Sequence, residues 1–348
     1  MDFRLMVIIS FSILLNPMSI GAFSPGYLIL SDSHKAILTD NNFEPYKEFD
    51  LSKQLGSENM LLGFGYRKQL DTLFIVYSNI PYSKSCAQSL PNMHTEQNLS
   101  VYILNSSEEY KLKTPESSEG IIEGFYYDAI IRDAVYLYDK HHVYYYSYPA
   151  TNLELLINLN VSEDIHECSL NGETLLVYYH DLKTAKSYVR LFYLPTKAEH
   201  TYNVSNDLTD LTIFGNRLWF YRRRGETTGL YNLDLIDRTE SLVADIYYRF
   251  PGRAVVNGIG YGIPVYNASK QYYTIINIYG DLNYILNGAI LMFLSNKDVL
   301  AEKWYDGNLE YIIYNIEDLR QTRQYVVNGK DIGAMIYVLD VEGKILSP

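Results

Sequence analysis

Seven histidines, two cysteines, a set of turn aspartates and one basic triplet are the residues of this chain with side chains suited to chemistry. A catalytic zinc site needs about three nitrogen or oxygen ligands on rigid elements. The histidines are His34, His94, His141, His142, His166, His180 and His200. Neighbours along a strand point to opposite faces, and His141-His142 falls between two strand-like runs, so the pair reads as solvated turn residues. In His166-Glu167-Cys168, alternation puts His166 and Cys168 on one face of an inner strand. That arrangement reads either as a metal or redox pair or as a buried thiol beside a hydrogen-bonded histidine.

A calcium ion needs several oxygen ligands from converging elements. Asp32, Asp128, Asp133, Asp181 and Asp306 lie at strand ends or turns. Aspartates at such positions also serve turns by accepting backbone N–H groups. The leading expectation is no cofactor, with an axial Ca2+ site as the alternative. Gly258-Ile259-Gly260-Tyr261-Gly262 lacks the strand before and the helix after that would place a phosphate at a helix N-terminus, and Pro264 follows two residues on. Those glycines read as an inner strand close to a neighbouring backbone, as do Gly63 and Gly65. Arg222-Arg223-Arg224 offers an anion contact or a charged hairpin tip that keeps a sheet edge soluble. There is no Gly-x-Ser-x-Gly, so a serine-hydrolase elbow has no anchor.

The elements that would position these residues are short tyrosine-rich strands. Apolar runs occur at Leu73–Tyr77, Val135–Tyr138, Leu175–Tyr179 and Leu218–Tyr221, and the last three end 41 and then 42 residues apart. A period of about 40–45 residues built from short strands marks a β-propeller blade. The clearest unit runs from Asp207 to Asp245, with Gly215-Asn216 and Gly225 supplying turn residues that tolerate positive φ. Six such four-stranded antiparallel units fit between Met60 and Val327. Ala334–Leu339 adds one strand at the C-terminus, and Tyr27–Ser31, Lys35–Thr39 and Tyr46–Leu51 add three at the N-terminus. Together they make a seventh blade closed by both chain ends; six blades is the alternative. The fold class is therefore all-β, a β-propeller.

The layout resembles secreted propellers of the YWTD and NHL types. The resemblance rests on Leu218-Trp219-Phe220-Tyr221 followed by Leu233-Asp234 and Leu242-Val243, and on Leu28-Ile29-Leu30-Ser31-Asp32 followed by Ile37-Leu38. Propellers of the insect yellow and royal-jelly group are similar in layout. The YWTD tetrapeptide is absent, so the resemblance implies an architecture and transfers no binding residue.

The chain opens with Met1-Asp2-Phe3-Arg4, an uncharged apolar stretch over Leu5–Leu15, then Asn16-Pro17 and small residues. That is the layout of a secretory signal peptide over residues 1–22, leaving 23–348 as a single domain. The apolar stretch is too short to span a bilayer, and no later segment supplies about 18–20 uncharged apolar residues. A formal net charge of −12 argues against nucleic acid and anionic lipid as partners. Cys86 and Cys168 read as one disulfide or as two unpaired thiols. Five sequons, at Asn98, Asn105, Asn160, Asn203 and Asn267, read as N-glycosylation acceptors of an extracellular protein.

The 35 tyrosines suit blade-to-blade packing, with a minority free to line a ligand site. Function is then expected in loops or on the axis. The first expectation is a secreted binding or scaffold protein that engages a protein or small ligand through its loop face or central funnel. The alternative is a secreted hydrolase or lyase with an axial polar or Ca2+ site.

Overall fold

The computed structural model describes residues 26–31, 34–55, 59–67, 72–78, 99–103, 106–112, 124–128, 134–171, 173–225, 227–246, 252–266, 272–279, 282–305, 308–327, 335–339 and 345–346. Among them every regular element is a strand, and no helix is long and apolar enough to cross a membrane. The first sheet contains β1 (Gly26–Ser31), β2 (Lys35–Thr39) and β3 (Pro45–Asp50). The second is β4 (Met60–Arg67), β5 (Thr72–Ser78), β6 (Leu99–Ile103) and β7 (Glu108–Leu112). The third is β8 (Gly124–Asp128), β9 (Ala134–Tyr138), β10 (His142–Ser147) and β11 (Glu154–Asn158). The fourth is β12 (Glu163–Asn171), β13 (Thr174–Asp181), β14 (Lys186–Tyr193) and β15 (Ala198–Val204). The fifth is β16 (Thr209–Phe214), β17 (Arg217–Arg224), β18 (Thr227–Asp234) and β19 (Glu240–Ile246). The sixth is β20 (Val255–Val256), β21 (Gly260–Tyr266), β22 (Tyr272–Ile278) and β23 (Leu282–Leu286). The seventh is β24 (Ala289–Phe293), β25 (Asp298–Tyr305), β26 (Asn308–Asn315) and β27 (Gln321–Val327). β28 (Met335–Leu339) and β29 (Ile345–Leu346) return to the first sheet.

These seven sheets are the blades of a seven-bladed β-propeller. Within each, consecutive strands pair in chain order, as short hairpin connections dictate. The first sheet runs β29-β28-β1-β2-β3, with β28 antiparallel to β1 from Gly26 opposite Leu339 to Leu30 opposite Met335. The C-terminus thus completes the blade that the N-terminus begins. β29 has no counterpart in the sequence pattern, because two residues are too few to show a period; it pairs with β28 and lies against β8. By Cα clustering the chain divides into two compact units: one spans 212–304 and 312–324, the other 25–211, 305–311 and 325–348.

Burial follows position within the blade. Second strands are buried on both faces: Leu218, Trp219, Phe220 and Tyr221 of β17 and Leu175–Tyr179 of β13 are all sealed. A strand flanked on both faces by neighbouring sheets reads as a continuous apolar run, and this is why the tyrosine-rich runs mark β5, β9, β13 and β17. Outer strands such as β15 and β3 are mostly exposed. Tyr27, Tyr136, Tyr144, Tyr146, Tyr221 and Tyr311 are among the largest fully buried side chains, each worth about 2 kcal/mol in buried apolar surface. A buried phenol still needs a partner for its hydroxyl. Tyr221 Oη donates to Gly252 O (3.0 Å), on the backbone that leads into blade six, and Tyr314 Oη to Asn287 O (3.1 Å), on the connection between blades six and seven.

The glycine run differs from its sequence reading. The inner strand β20 ends at Val256, the chain turns at Asn257, whose Oδ1 accepts from Ile259 and Gly260 N–H, and Gly260 opens the second strand, β21. The glycines therefore sit at a turn and in β21 instead of on an inner strand. Close approach is still their purpose: a Cβ on Gly260 would overlap the carbonyl oxygen of Asn277, and one on Gly262 would stand 2.8 Å from Ile290 Cγ2. Gly215 needs glycine for another reason, a φ of 60° with open space around it. Replacing Gly260 by Ala should cost about 2 kcal/mol through overlap with fixed backbone. Gly215→Ala should cost about 1 kcal/mol through left-handed strain alone, and urea midpoints would rank the two.

Candidate functional site

The turn between β9 and β10 gathers the densest polar cluster. Asp139 is 2% exposed and its Oδ1 accepts the backbone N–H groups of His141 (2.9 Å) and His142 (2.8 Å). His142 Nδ1 lies 2.9 and 3.1 Å from the two carboxylate oxygens, and Tyr144 Oη donates to Oδ2 at 3.0 Å. His141 Nδ1 meets Glu163 O at 2.9 Å. Both histidines are buried, which corrects their reading as solvated turn residues. The cause is the next connection folding back over the turn: Leu159 N–H donates to His141 O and Ile165 N–H to Lys140 O, each at 2.8 Å. An imidazole–carboxylate pair is the arrangement of general acid–base catalysis, but this one is sealed and its oxygens are already occupied. Its work is to brace blade three against blade four.

A second constellation combines three strands. His180 on β13 has Nδ1 3.0 Å from Ser187 Oγ on β14, and Asp164 on β12 stands opposite His180 in the ladder. Carboxylate, imidazole and hydroxyl in a row are the types of a nucleophile triad. However, Ser187 is 1% exposed, and Lys140 Nζ holds Asp164 Oδ2 at 3.2 Å. Tyr178 Oη adds a 3.4 Å contact to Ser187 Oγ and another to Ser205 O. Ser187 is sealed from substrate, and Asp164 Oδ1 is buried with no hydrogen-bond partner among the described residues, so the row is not a working triad.

The His166-Cys168 face is not formed. The β12–β13 ladder shifts register between Ile165 and Glu167, and this bulge leaves His166 exposed while Cys168 stays fully buried. His166 instead faces the rings of Tyr178 (5.9 Å) and His180 (6.1 Å). Glu167 turns to accept Leu211 N–H at 2.9 Å. Cys168 is a free thiol whose pKa is pushed well above its usual value by burial. Cys86 lies outside the described residues.

Among the described residues no group of three or more His, Cys, Asp or Glu side chains is placed to hold a metal ion. Asp181 accepts from Lys183 N–H (3.0 Å) and Thr184 Oγ1 (2.7 Å), so it caps its own turn. Asp32, Asp133 and Asp306, and the side chain of Asp128, lie outside the described set. The arginine triplet is spent locally. Arg222 makes a two-pronged pair with Glu240 (2.5 and 3.1 Å) and lies over the rings of Phe220 and Tyr231, and Arg224 pairs with Asp245 at 3.0 Å.

The open feature of the molecule is aromatic. Along β17, Arg217, Trp219 and Tyr221 share the face that meets blade six. Trp219 is 2% exposed, and its Nε1 has no hydrogen-bond partner among the described residues. Its ring lies 5.6 Å from Tyr261 on β21, which lies 6.3 Å from Tyr279 beyond β22. Tyr279 is 50% exposed, and burial of part of its ring raises its phenol pKa, Tyr261 adding to the rise and Arg217 opposing it. Phe214 is 39% exposed, with Cζ 3.7 Å from where a Cβ on Gly258 would stand. Ile236, 64% exposed, follows Asp234, which Asn216 Nδ2 ties to the β16–β17 turn at 3.0 Å. The seam between blades five and six therefore ends in a partly exposed apolar rim, called its mouth below, with Phe214 by Gly258, Tyr279 by Tyr261 and Arg217, and the exposed Ile236 following the turn tied by Asn216. Sequence reading had located Trp219 and the glycines but not their meeting, because the residues come from four separated strand ends.

Of the expected glycan acceptors, Asn160 and Asn203 are exposed, the latter on outer strand β15. Asn160 Nδ2 donates to Glu163 Oε2 at 2.9 Å. Asn98, Asn105 and Asn267 lie outside the described residues.

No family model matches this chain, and no curated protein matches it. Solved structures do. One of two prolyl endopeptidases described in a structural and mechanistic study is similar at 7% identity and a TM-score of 0.54, over 93% of this chain and 55% of that one. The chain thus spans about half that peptidase's length. Dihydro-heme d1 dehydrogenase NirN is similar at 11% identity and a TM-score of 0.49, over 92% and 77%. A chain of a nidogen/laminin complex is similar at 10% identity and a TM-score of 0.38, over 90% and 98%. At such identities the likeness speaks to the fold alone.

Two outcomes check the site geometry. Asp139→Ala strands two backbone N–H groups and a tyrosine hydroxyl, and should lower unfolding stability by about 3 kcal/mol in urea denaturation. Iodoacetamide at mildly alkaline pH should leave Cys168 unmodified in the folded protein and modify it after unfolding, because the buried thiol forms little thiolate.

Proposed function

We propose that this chain is a secreted, N-glycosylated propeller that binds a protein partner through the mouth between blades five and six. The observation that carries the reading is the exposure of Phe214, Ile236 and Tyr279, with the Arg217 guanidinium near Tyr279, by a sealed tryptophan whose N–H has no partner among the described residues. Partly exposed aromatics backed by rigid buried ones, with an arginine at the rim, are the composition that protein interfaces select. Tyr and Arg can bury apolar area and still meet the partner's polar groups. The hydrogen-bonded hairpins of β16–β19 and β20–β23 hold the mouth in place, so docking orders few new side chains. The leader-like residues 1–22 and the exposed Asn160 and Asn203 support the extracellular part of the reading.

The binding test is a displayed peptide library panned against the protein. Enriched peptides should lose about tenfold or more in affinity to Tyr279→Asp or Phe214→Asp and bind Leu182→Asp, which alters an exposed apolar residue of blade four, unchanged. Peptides indifferent to Tyr279 and Phe214 would refute the mouth as the recognition surface. The extracellular reading has its own check. Expression in a eukaryotic secretory cell should release protein lacking residues 1–22, and an endoglycosidase should shift its mass by an amount that falls in Asn203→Gln. Retention in the cell with residues 1–22 attached would sink that part without touching the binding result.

A further inference from the structure

Among the described residues each blade ends on an outer strand, and the edge of a sheet pairs with another chain unless something blunts it. Six outer strands are blunted by charge: Glu48 on β3, Glu109 on β7, Glu154 on β11, Glu199 on β15, Glu240 on β19 and Arg323 on β27. β23 reads Leu282-Asn283-Tyr284-Ile285-Leu286, with neither charge nor proline. Its ladder with β22 runs without a register shift from Leu282 to Leu286, whereas the ladders of β3, β11 and β19 are each interrupted by one. Tyr284 and Leu286 pack into the core shared with β24–β26, while Ile285, on the other face, is 71% exposed.

We propose that β23 is a homodimer edge, pairing antiparallel with β23 of a second copy. Centred on Tyr284, the pairing sets Leu282 opposite the partner copy's Leu286 and Asn283 opposite its Ile285, so the contact is self-complementary about a two-fold axis. The occupant follows from charge. An acidic or basic segment finds no charge on β23 to pair with, whereas an identical strand is equally uncharged and equal in length. Each copy also carries a net charge of −12, so two molecules repel at a distance, and a neutral edge is where approach costs least. A five-residue strand pair is a small interface, so the dimer is expected to be weak and concentration-dependent.

Those charges give the dimer a distinctive signature. Added salt screens the mutual repulsion without weakening the strand pairing, so association should tighten from low to high ionic strength, opposite to an interface held by ion pairs. The experiment is sedimentation velocity of the full secreted chain over a concentration series at two salt levels. A shift from the mass of the single glycosylated chain toward twice that value, stronger in high salt, is the expected result. Ile285→Lys and Ile285→Glu should each remain monomeric, and mixing the two should restore the dimer, since the diagonal pair of side chains lies within reach across the axis. Position 285 is exposed, so both variants keep the core, and restoration on mixing also excludes misfolding as the cause of dissociation. A monomer at all concentrations, a dimer that weakens with salt, or an Ile285→Lys dimer would overturn the proposal.

Discussion

Every blade of this propeller has two apolar faces, and both must be covered. A helix-covered sheet hides its faces under helices; here, within each compact unit, the cover is another sheet. The second strand pays most for that arrangement in sequence freedom: residues 218–221 and 175–179 must be large and apolar at every position, with no polar alternation to spare. Tyrosine meets the demand because its ring fills the inter-sheet gap while its hydroxyl can reach a backbone carbonyl at the rim, as Tyr221 does at Gly252. Beside Gly262 the next sheet leaves no room for a side chain, and at Gly260 the neighbouring strand of the same sheet leaves none either.

The same constraint explains why the constellations that resemble catalytic machinery are inert. Side chains brought together from neighbouring strands lie between sheets, where water and substrate cannot reach. Asp139 with His142, and Asp164 in line with His180 and Ser187, have the residue types of acid–base and nucleophilic sites. Burial turns the Asp139–His142 pair into a brace, since a sealed carboxylate is tolerated only when it is hydrogen-bonded. Asp139 meets that condition with four donors drawn from its own turn and strand.

Much of the architecture was legible in the sequence because it is periodic. The spacing of the tyrosine runs located the blades, Gly215 and Gly225 announced turns with φ near 60°, and the terminal strands indicated their own closure. What escaped was aperiodic. A one-residue bulge after Ile165 reverses every later side chain of β12, so no alternation argument could place His166 and Cys168 correctly. The burial of His141 and His142 depends on where Leu159 and Ile165 return, information held some twenty residues away. The mouth between blades five and six needs Phe214, Trp219, Gly258, Tyr261 and Tyr279 together, and only the stacking of one sheet on the next makes them neighbours.

Once both faces of each sheet are committed to packing, a propeller keeps two kinds of surface for other molecules: the ends of seams and the outer edges. At a seam end the packed aromatic stripe runs out into solvent, and in blade five that stripe ends on Arg217 beside Phe214 and Tyr279. Side chains there are already ordered by the buried residues beneath them, so little freedom is lost on binding. An outer edge offers backbone instead, and charge decides whether it is open. The two surfaces therefore select by different rules, side-chain shape at the seam and strand geometry at the edge. A single change at Tyr279 or at Ile285 acts on one and leaves the other intact, because Tyr279 lies beyond the end of β22, outside the ladder that holds β23.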